Sequence, residues 1–444
     1  MNRRAVVLGG GFAGLVTARV LADRFDEVLV LEQGRYPDQP VPRDGVAQGT
    51  QLHVLLARGA DVLFELFPEL PARLDAIGII ERDFGTDVLQ VVGRIRMPRR
   101  VAGVPMRCAT RPILEAELRA LVARVPRVTL LQDHTVEALV MDGPRVRAAR
   151  VTGPDGAAQA LEGALFVDAM GRRSPVLRWL DALGFDRPEV ESLDAGFRYA
   201  TVAVQPAPGA ALDGRILMVV MAQAPDHRRT GALMALPDGT WRATLVTLPG
   251  EHPERSWASI LEGFRLLACP DPWERLQGAT PLGPVHPFAD VANRRRRFDR
   301  LARWPGAFVA LGDAVCRFNP RFGQGMTIAA LSASLLGEHL DQQDLDRAPV
   351  QAAQRFQRRL ASLHDLPWRL ATSDDAIWLP DRPASLLDRA TAWYLQRLLA
   401  AVAGDADLNA RFIRVAQMLD HPVRLAAPTV LRRVLFARPR ALEG

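Results

Sequence analysis

Two textures of apolar and polar positions run along this chain. Short apolar runs stopped by glycine or an acid recur toward both ends: Ala5–Leu8, Glu27–Leu31, Val128–Leu131, Leu165–Asp168 and Ala307–Leu311. Such runs read as core strands, and segments with helical spacing lie among them. Leu15–Arg24 and Leu52–Leu66 are two of these, and a third opens at Pro112 with Leu114, Leu118, Leu121 and Val122 on one face. A fourth covers Thr327–Leu340. The middle of the chain alternates instead, in Phe197–Val204, Ile216–Gln223, Gly231–Leu236 and Trp241–Leu248, with turn residues at Pro206–Gly209 and Pro237–Gly239. Alternation between turns predicts a largely antiparallel sheet, with Ser256–Leu267 as a helix upon it. Val88–Val92 and Ile95–Pro98 read as a strand pair about Gly93, and Val136–Val140 and Val146–Val151 as two further strands. From Phe356 onward the pattern is helical with expected breaks at Pro367, Pro380, Pro383, Pro422 and Pro428.

The fold class is therefore α/β with an α+β second domain. A Rossmann-like domain is expected from residues 1–85, 100–180 and 281–345, a sheet domain for substrate from 86–99 and 181–280, and a helical region from 346–444.

The opening strand runs directly into Gly9-Gly10-Gly11-Phe12-Ala13-Gly14 and then a helix, which is G-x-G-x-x-G in its required setting. Gly9 allows the tight turn, Gly11 lets backbone approach a pyrophosphate, and Gly14 lets the helix pack on the strand. The helix start offers unpaired N–H groups to phosphate. Glu32 closes the second strand about 18 residues past Gly14, as suits an acceptor for adenosine ribose hydroxyls. A second glycine loop, Gly323-Gln324-Gly325-Met326, follows Gly312-Asp313-Ala314 and Pro320 and feeds another helix, with Asp313 placed to accept from a ribityl chain. The polar loop Arg43–Gly49 and His53 lies just beyond the second strand, where Arg43 is placed to pair with phosphate or ribose oxygens and Gln48 or His53 to face a redox ring, a histidine satisfied by neighbours on a helix face being the alternative for His53. Arg111 at a helix start opposes the helix dipole, which an anion nearby would explain.

Composition narrows the class. The 444 residues are 48% hydrophobic and 24% charged, which excludes disordered and low-complexity classes. The net charge of +6 comes from arginine, for the chain contains no lysine. Without interleaved aromatics or a nucleic-acid motif this does not predict DNA or RNA binding, and the Arg294–Arg297 run reads as a solvated face. Cys108, Cys269 and Cys316 are odd in number and far apart, so reduced thiols and a cytoplasmic protein are expected. The strand near Met1 leaves no room for a signal peptide, and no uncharged run approaches the length of a membrane span. Pro428–Arg440, basic and partly apolar, reads as a closing helix rather than a membrane contact. No G-x-S-x-G elbow, H-E-x-x-H or metal-spaced histidines occur.

Three motifs in this order, the N-terminal loop, Asp168-Ala169-Met170-Gly171-Arg172-Arg173-Ser174, and Gly312-Asp313-Ala314 with Pro320-x-x-Gly323-Gln324-Gly325, resemble the single-component (class A) FAD-dependent aromatic hydroxylase-type monooxygenases. Arg43-x-Gly45-Val46-x-Gln48-Gly49, Asn319-Pro320, and Pro367-Trp368 with Asp374 or Asp375 make the branch with the polyether epoxidases the nearest likeness. The resemblance implies FAD, with NAD(P)H as a transient co-substrate lacking its own nucleotide fold. It implies a cofactor set of Gly9, Gly11, Phe12, Ala13, Gly14, Glu32, Gln33, Arg43, Arg111, Val136, Asp168, Gly312, Asp313, Gly323, Gln324, Gly325 and Met326. Gln48, His53 and Pro320 would lie nearest the flavin. The chain departs from the family pattern at Met170, Ala47 and Gln51.

The activity implied is epoxidation or hydroxylation by O2, through a flavin hydroperoxide, of a small apolar polyketide-like, terpenoid-like or aromatic substrate in secondary metabolism. Phe197, Tyr199, Met218, Met221 and Met234 are candidate walls for that substrate. The tryptophan-rich motif of flavin halogenases is absent. Two rivals share the fold: a cyclase that keeps FAD without redox turnover, and a reductase of prenyl chains.

Overall fold

The computed structural model describes residues 3–43, 47–248, 251, 255–379 and 386–436. Five parallel strands form the central sheet in the order Phe308–Ala310, Leu165–Asp168, Arg4–Leu8, Glu27–Leu31, Val128–Leu131. Most of their side chains are buried, as expected of a parallel sheet covered on both faces, and this explains their unbroken apolar runs. Leu8 pairs in register with Leu31 on one side and Asp168 on the other, and Asp168 with Ala310. Four strands thus end together along one edge, where open α/β sheets bind their ligands.

Two helices start from that edge, Phe12–Ala22 and Gln324–Gln342. They pack closely because Gly337 has no side chain: a Cβ there would lie 2.7 Å from Val20. Gly59 in the helix Ala57–Leu66 makes the same allowance, with Thr327 Oγ1 2.5 Å from its absent Cβ. The apolar run from Leu52 becomes helical only at Ala57, after a 3₁₀ turn at Ala47–Thr50.

The alternating segments form an eight-stranded mixed sheet. Its spine runs Arg198–Gln205, Trp241–Thr247, Thr230–Ala235, Leu217–Met221, Val88–Val92, Ile95–Arg96. Val88–Val92 joins parallel to Leu217–Met221, so residues far apart in sequence share one sheet. Thr280–Pro281 and His286–Phe288 also pair with Arg198–Gln205. One face is closed by helices Trp257–Arg265 and Asp271–Leu276 over Leu89, Val91, Val202, Met218, Val220 and Leu245. On the other face, Val88, Val92, Leu217 and Val219 border a cavity.

Two expectations are corrected. The Arg294–Arg297 run is not a solvated face: its first three residues lie on the strand Asn293–Arg296, where alternation buries Arg295, and Arg297 is buried at the turn that follows. Both grip Glu191 at 2.9 Å, with Asp365 and Asp299 as further partners. Pro367 does not break its helix, which runs from Pro349 to Ala376. Burial of Ala352, Ala353, Phe356 and Leu360 against the central core outweighs the roughly 3 kcal/mol an interior proline costs. That same packing sets the first part of this helix against the central core.

The remaining helices, Leu386–Gly404, Ala406–Ala416 and Pro428–Phe436, share a small core with Met97, Leu398, Val402, Leu408, Val430 and Val434. Pro428–Phe436 closes this cluster through Val430 and Val434, while Pro380 and Pro383 lie outside the described residues. Cys108, Cys269 and Cys316 are free and buried. Among the described residues no helix is long and apolar enough to cross a membrane.

Candidate cofactor and substrate site

A single cavity of about 2000 Å³ opens along the strand-end edge and continues between the large sheet and the C-terminal helices. Ordinary ligand pockets measure roughly 300–1,000 Å³, so this one has room for a cofactor and a second molecule.

At its nucleotide end, Gly9 takes a left-handed φ of 104° and donates its N–H to Leu31 O at 2.9 Å. Gly11 caps the helix with no side-chain hydrogen bond and faces open space toward Arg43. Gly323, at φ 65°, caps the helix Gln324–Gln342, again with no side-chain bond. Two helix N-termini with uncapped N–H groups thus point into one cavity, the arrangement that receives anionic oxygens. Gly312 and Gly171, both at positive φ, hold the intervening turns: a Cβ on Gly312 would meet Ala13, and one on Gly171 would reach Asp313.

Charged groups line the same end in an alternating chain. Glu32 pairs with Arg43 at 3.1 Å, Arg43 with Glu115 at 3.2 Å, and Glu115 with Arg111 at 2.8 Å. Arg111 also donates to the Gln48 side chain. Burial pushes Glu115 upward, but Arg111 and Arg43 outweigh it and hold its carboxyl below the usual range. The anion that the position of Arg111 called for is Glu115, one turn on in its own helix, and that spacing was a signal available in the sequence. Glu115 was missed there, as was Tyr36, whose hydroxyl donates to Gly10 O at 3.1 Å under the Arg43 guanidinium. Asp313 makes no side-chain hydrogen bond or ion pair among the described residues, and burial raises its pKa.

Of the proposed cofactor residues, Gly9, Gly11, Phe12, Ala13, Glu32, Gln33, Arg43, Arg111, Val136, Asp313, Gly323, Gln324, Gly325 and Met326 line the cavity. Gly14 and Gly312 stand behind it as packing positions. Asp168 is turned away: its carboxylate accepts from Met170 N–H at 3.0 Å and from the Ser174 hydroxyl, closing the turn after its strand. Burial raises its pKa to about 6. It is a scaffold residue, not a cavity-facing one.

Gln48, His53 and Pro320 all line the cavity. His53 places Nδ1 2.9 Å from Gln51 O, and burial, with Arg111 nearby, lowers its pKa to about 4. Deeper in, the walls are apolar: Val88, Val92, Leu217, Val219, Ala232 and Val246 from the sheet, Leu398, Phe412 and Met418 from the helices. Tyr199 and Met221 belong to this wall, but Phe197, Met218 and Met234 do not. Met218 and Met234 are wholly buried in the cores behind and beside the sheet, and Phe197 packs edge-on against Trp378. The Tyr199 hydroxyl donates to Asn319, whose amide donates to Asp375 at 2.9 Å; Asn293 donates to the same carboxylate at 2.7 Å. This buried network fixes the loop that carries Pro320. Among the described residues no cluster could hold a metal ion.

Such a sheet, with two bare helix starts facing a shared cavity, is suited to an anionic nucleotide cofactor. Residues 3–351 match the FAD binding domain family, and the chain belongs to it. Its fold is that of the class A flavin monooxygenases. Protein Rv3254 of Mycobacterium tuberculosis (strain ATCC 25618 / H37Rv) is 32% identical over 360 residues, spanning 75% of this chain and 72% of that protein. In fold the chain is similar to the flavin-dependent brominase Bmp2, with a TM-score of 0.68 and 15% identity over 94% of each chain. It is similar also to OxyS anhydrotetracycline hydroxylase from Streptomyces rimosus, with a TM-score of 0.63 and 18% identity over 95% of this chain and 76% of that one. The bare helix starts, the unpartnered Asp313 and the paired arginines fit FAD: the helix starts would receive its phosphates and Asp313 its ribityl hydroxyls.

Proposed function

We propose that the protein is a monooxygenase that uses NAD(P)H and O2 to epoxidise or hydroxylate a small apolar substrate, polyketide-like, terpenoid-like or aromatic, in secondary metabolism. The observation that carries this reading is the continuity of the cavity from the nucleotide cradle to an apolar chamber. FAD, when bound, supplies hydride acceptance and oxygen activation. The chain's own contribution is to hold and to dry. Arg43 and Arg111 stand at the nucleotide end, already aligned by Glu115, so little ordering remains on binding. The sheet wall and the helices carrying Leu398, Phe412 and Met418 exclude water from the far end, where a labile oxidant must be protected. His53, near Arg111, is neutral above about pH 4 and adds no further cation to the cavity. OxyS is an anhydrotetracycline hydroxylase by name, and the shared fold makes hydroxylation of a polycyclic substrate a natural member of this class. The departures at Met170, Ala47 and Gln51 lie in motifs expected near the flavin and bear on the substrate and on the redox partner.

The test is reconstitution with FAD, followed by NADH- or NADPH-dependent bleaching at the flavin band, oxygen uptake, and product mass under labelled O2 with polyenes and phenols. One added oxygen atom per product, drawn from O2, is the expected result. A product isomeric with its substrate and no bleaching would identify the non-redox cyclase instead, and a product gaining two hydrogens the prenyl reductase.

A further inference from the structure

The apolar side chains that the fold leaves in solvent gather at its C-terminal end. Of the fifteen large ones exposed among the described residues, seven lie between residues 370 and 436, with Trp393 50% and Phe436 80% exposed. The helix Pro428–Phe436 shows how this arises. Val430 and Val434 point inward and close the helical cluster, while Thr429, Arg432, Arg433 and Phe436, spaced as one stripe, face outward. Arg397 ties that stripe to the helix Leu386–Gly404, because Nη2 donates to Leu435 O at 2.8 Å and the guanidinium lies 5.3 Å over the Trp393 ring. Trp393, Leu435 and Phe436 therefore belong to one patch. The charge about it is of one sign: the last 34 residues hold seven arginines against two acids, a surplus of five in a chain whose net charge is +6. Arg432 is exposed and makes no ion pair among the described residues, and Arg433, paired with Asp405 at 3.0 Å, still has 46% of its side chain in solvent.

Scattered apolar residues on a surface mean little, but a contiguous group rimmed by charge marks a contact face. The same end of the molecule holds an opening of the apolar chamber. Leu370, Ile377, Leu395 and Gln396 line the cavity and are themselves exposed, and Gln396 stands one helical turn from Trp393. We propose that this patch docks the protein on an anionic lipid surface, with its arginines among the headgroups and Trp393, Leu435 and Phe436 at the acyl boundary, and so sets the opening of the chamber beside the lipid. Such a surface supplies both things the patch lacks, negative charge and an apolar phase. A second copy of the chain would instead bring the same arginines against these across a two-fold contact, where like charges repel. No helix among the described residues is long and apolar enough to span a membrane, so the contact is peripheral. The helix Pro428–Phe436 closes its cluster with one side and leaves the other free for lipid. The contact does not depend on the reaction run in the chamber.

Vesicle binding tests it with neither NAD(P)H nor substrate present, so its failure is separate from failure of the oxygenation reading. FAD-reconstituted protein is floated with phosphatidylcholine vesicles that contain either no phosphatidylglycerol or about 30% of it, in about 0.1 M salt. The expected result is binding to the anionic vesicles at least about tenfold tighter than to the neutral ones, lost in large part at about 1 M salt. At unchanged flavin content, Arg432→Glu should weaken that binding about tenfold or more, and Trp393→Ser combined with Phe436→Ser should do the same. No binding to anionic vesicles, equal binding to both kinds, or full binding by Arg432→Glu overturns the proposal. So does a dimer that forms as protein concentration rises and is lost in Phe436→Ser, which would assign the patch to a second copy. Should the double variant fail to fold, Arg432→Glu decides alone, since that side chain is exposed and makes no ion pair among the described residues.

Discussion

Gly14 lies so close to Gly9 that a Cβ on it would sit 1.8 Å from the Gly9 carbonyl oxygen. The neighbouring atom is backbone, fixed in turn by the hydrogen bond from Gly9 to Leu31, so neither side can yield without moving the helix off the strand. Gly14→Ala is therefore expected to destabilise the protein by about 1–3 kcal/mol and to tilt the helix start away from the phosphates. Thermal melting and the flavin-to-protein absorbance ratio check this together. A variant with unchanged flavin content would show that the close approach is not what positions the N–H groups.

Asp313 should behave in the opposite sense for stability. Its folded pKa lies above the unfolded value, so its charge costs stability; the cost appears as pH rises through the ordinary carboxylate range and is complete above the folded pKa. Asp313→Asn should raise the melting temperature of the flavin-free protein at pH 7.5. It should weaken FAD binding roughly tenfold or more, the worth of a hydrogen bond to a charged group. Calorimetric titration with FAD and melting of the flavin-free form measure the two effects. A variant that loses both stability and affinity would mark Asp313 as a scaffold residue.

The nucleotide cradle was legible because its parts carry local signals. Glu27–Leu31 and Leu165–Asp168 form with the expected bounds, and the glycines lie at turns and helix starts that are decided within a few residues. Pairings decided by distant segments were less visible. Val88–Val92 joins the sheet beside Leu217–Met221, and the arginine run finds carboxylates on Glu191, Asp299 and Asp365, which no local pattern announces. Asp168 shows a further limit, since a motif places a residue near a site without saying which way its side chain turns. Arg321 and Asp374 come together only through packing of the helix Pro349–Ala376, whose continuity across Pro367 the sequence argued against.

His53 makes stability fall on the acid side. Its folded pKa of about 4 lies below the ordinary histidine value, so the unfolded chain takes up a proton that the folded chain refuses. Its contribution is neutral above about pH 6.5 and grows to a loss of roughly 3 kcal/mol below about pH 4. His364, buried and lowered to about 3, acts in the same direction, so the two must be separated by substitution. Urea unfolding of the unaltered protein and of His53→Gln at pH 7.5 and 4.5 should show a smaller acid loss in the variant. Identical losses would assign the acid sensitivity elsewhere.

Met218 and Met221 stand three residues apart on one strand and face opposite ways. Met218 is fully buried against the helix-covered side, whereas Met221 lines the cavity. Met218→Ala removes core volume that nothing can refill and should cost about 2–5 kcal/mol, while leaving the preference among substrates as it was. Met221→Ala widens a chamber already open to ligand, so its stability cost should be well below that of Met218→Ala. Its effect should appear as a shift toward bulkier substrates or an altered position of oxygenation. Paired melting curves and product profiles on one substrate panel measure both. A substrate shift in Met218→Ala with none in Met221→Ala would mean that the strand presents its other face to the substrate, and the assignment of the chamber wall would have to be reversed.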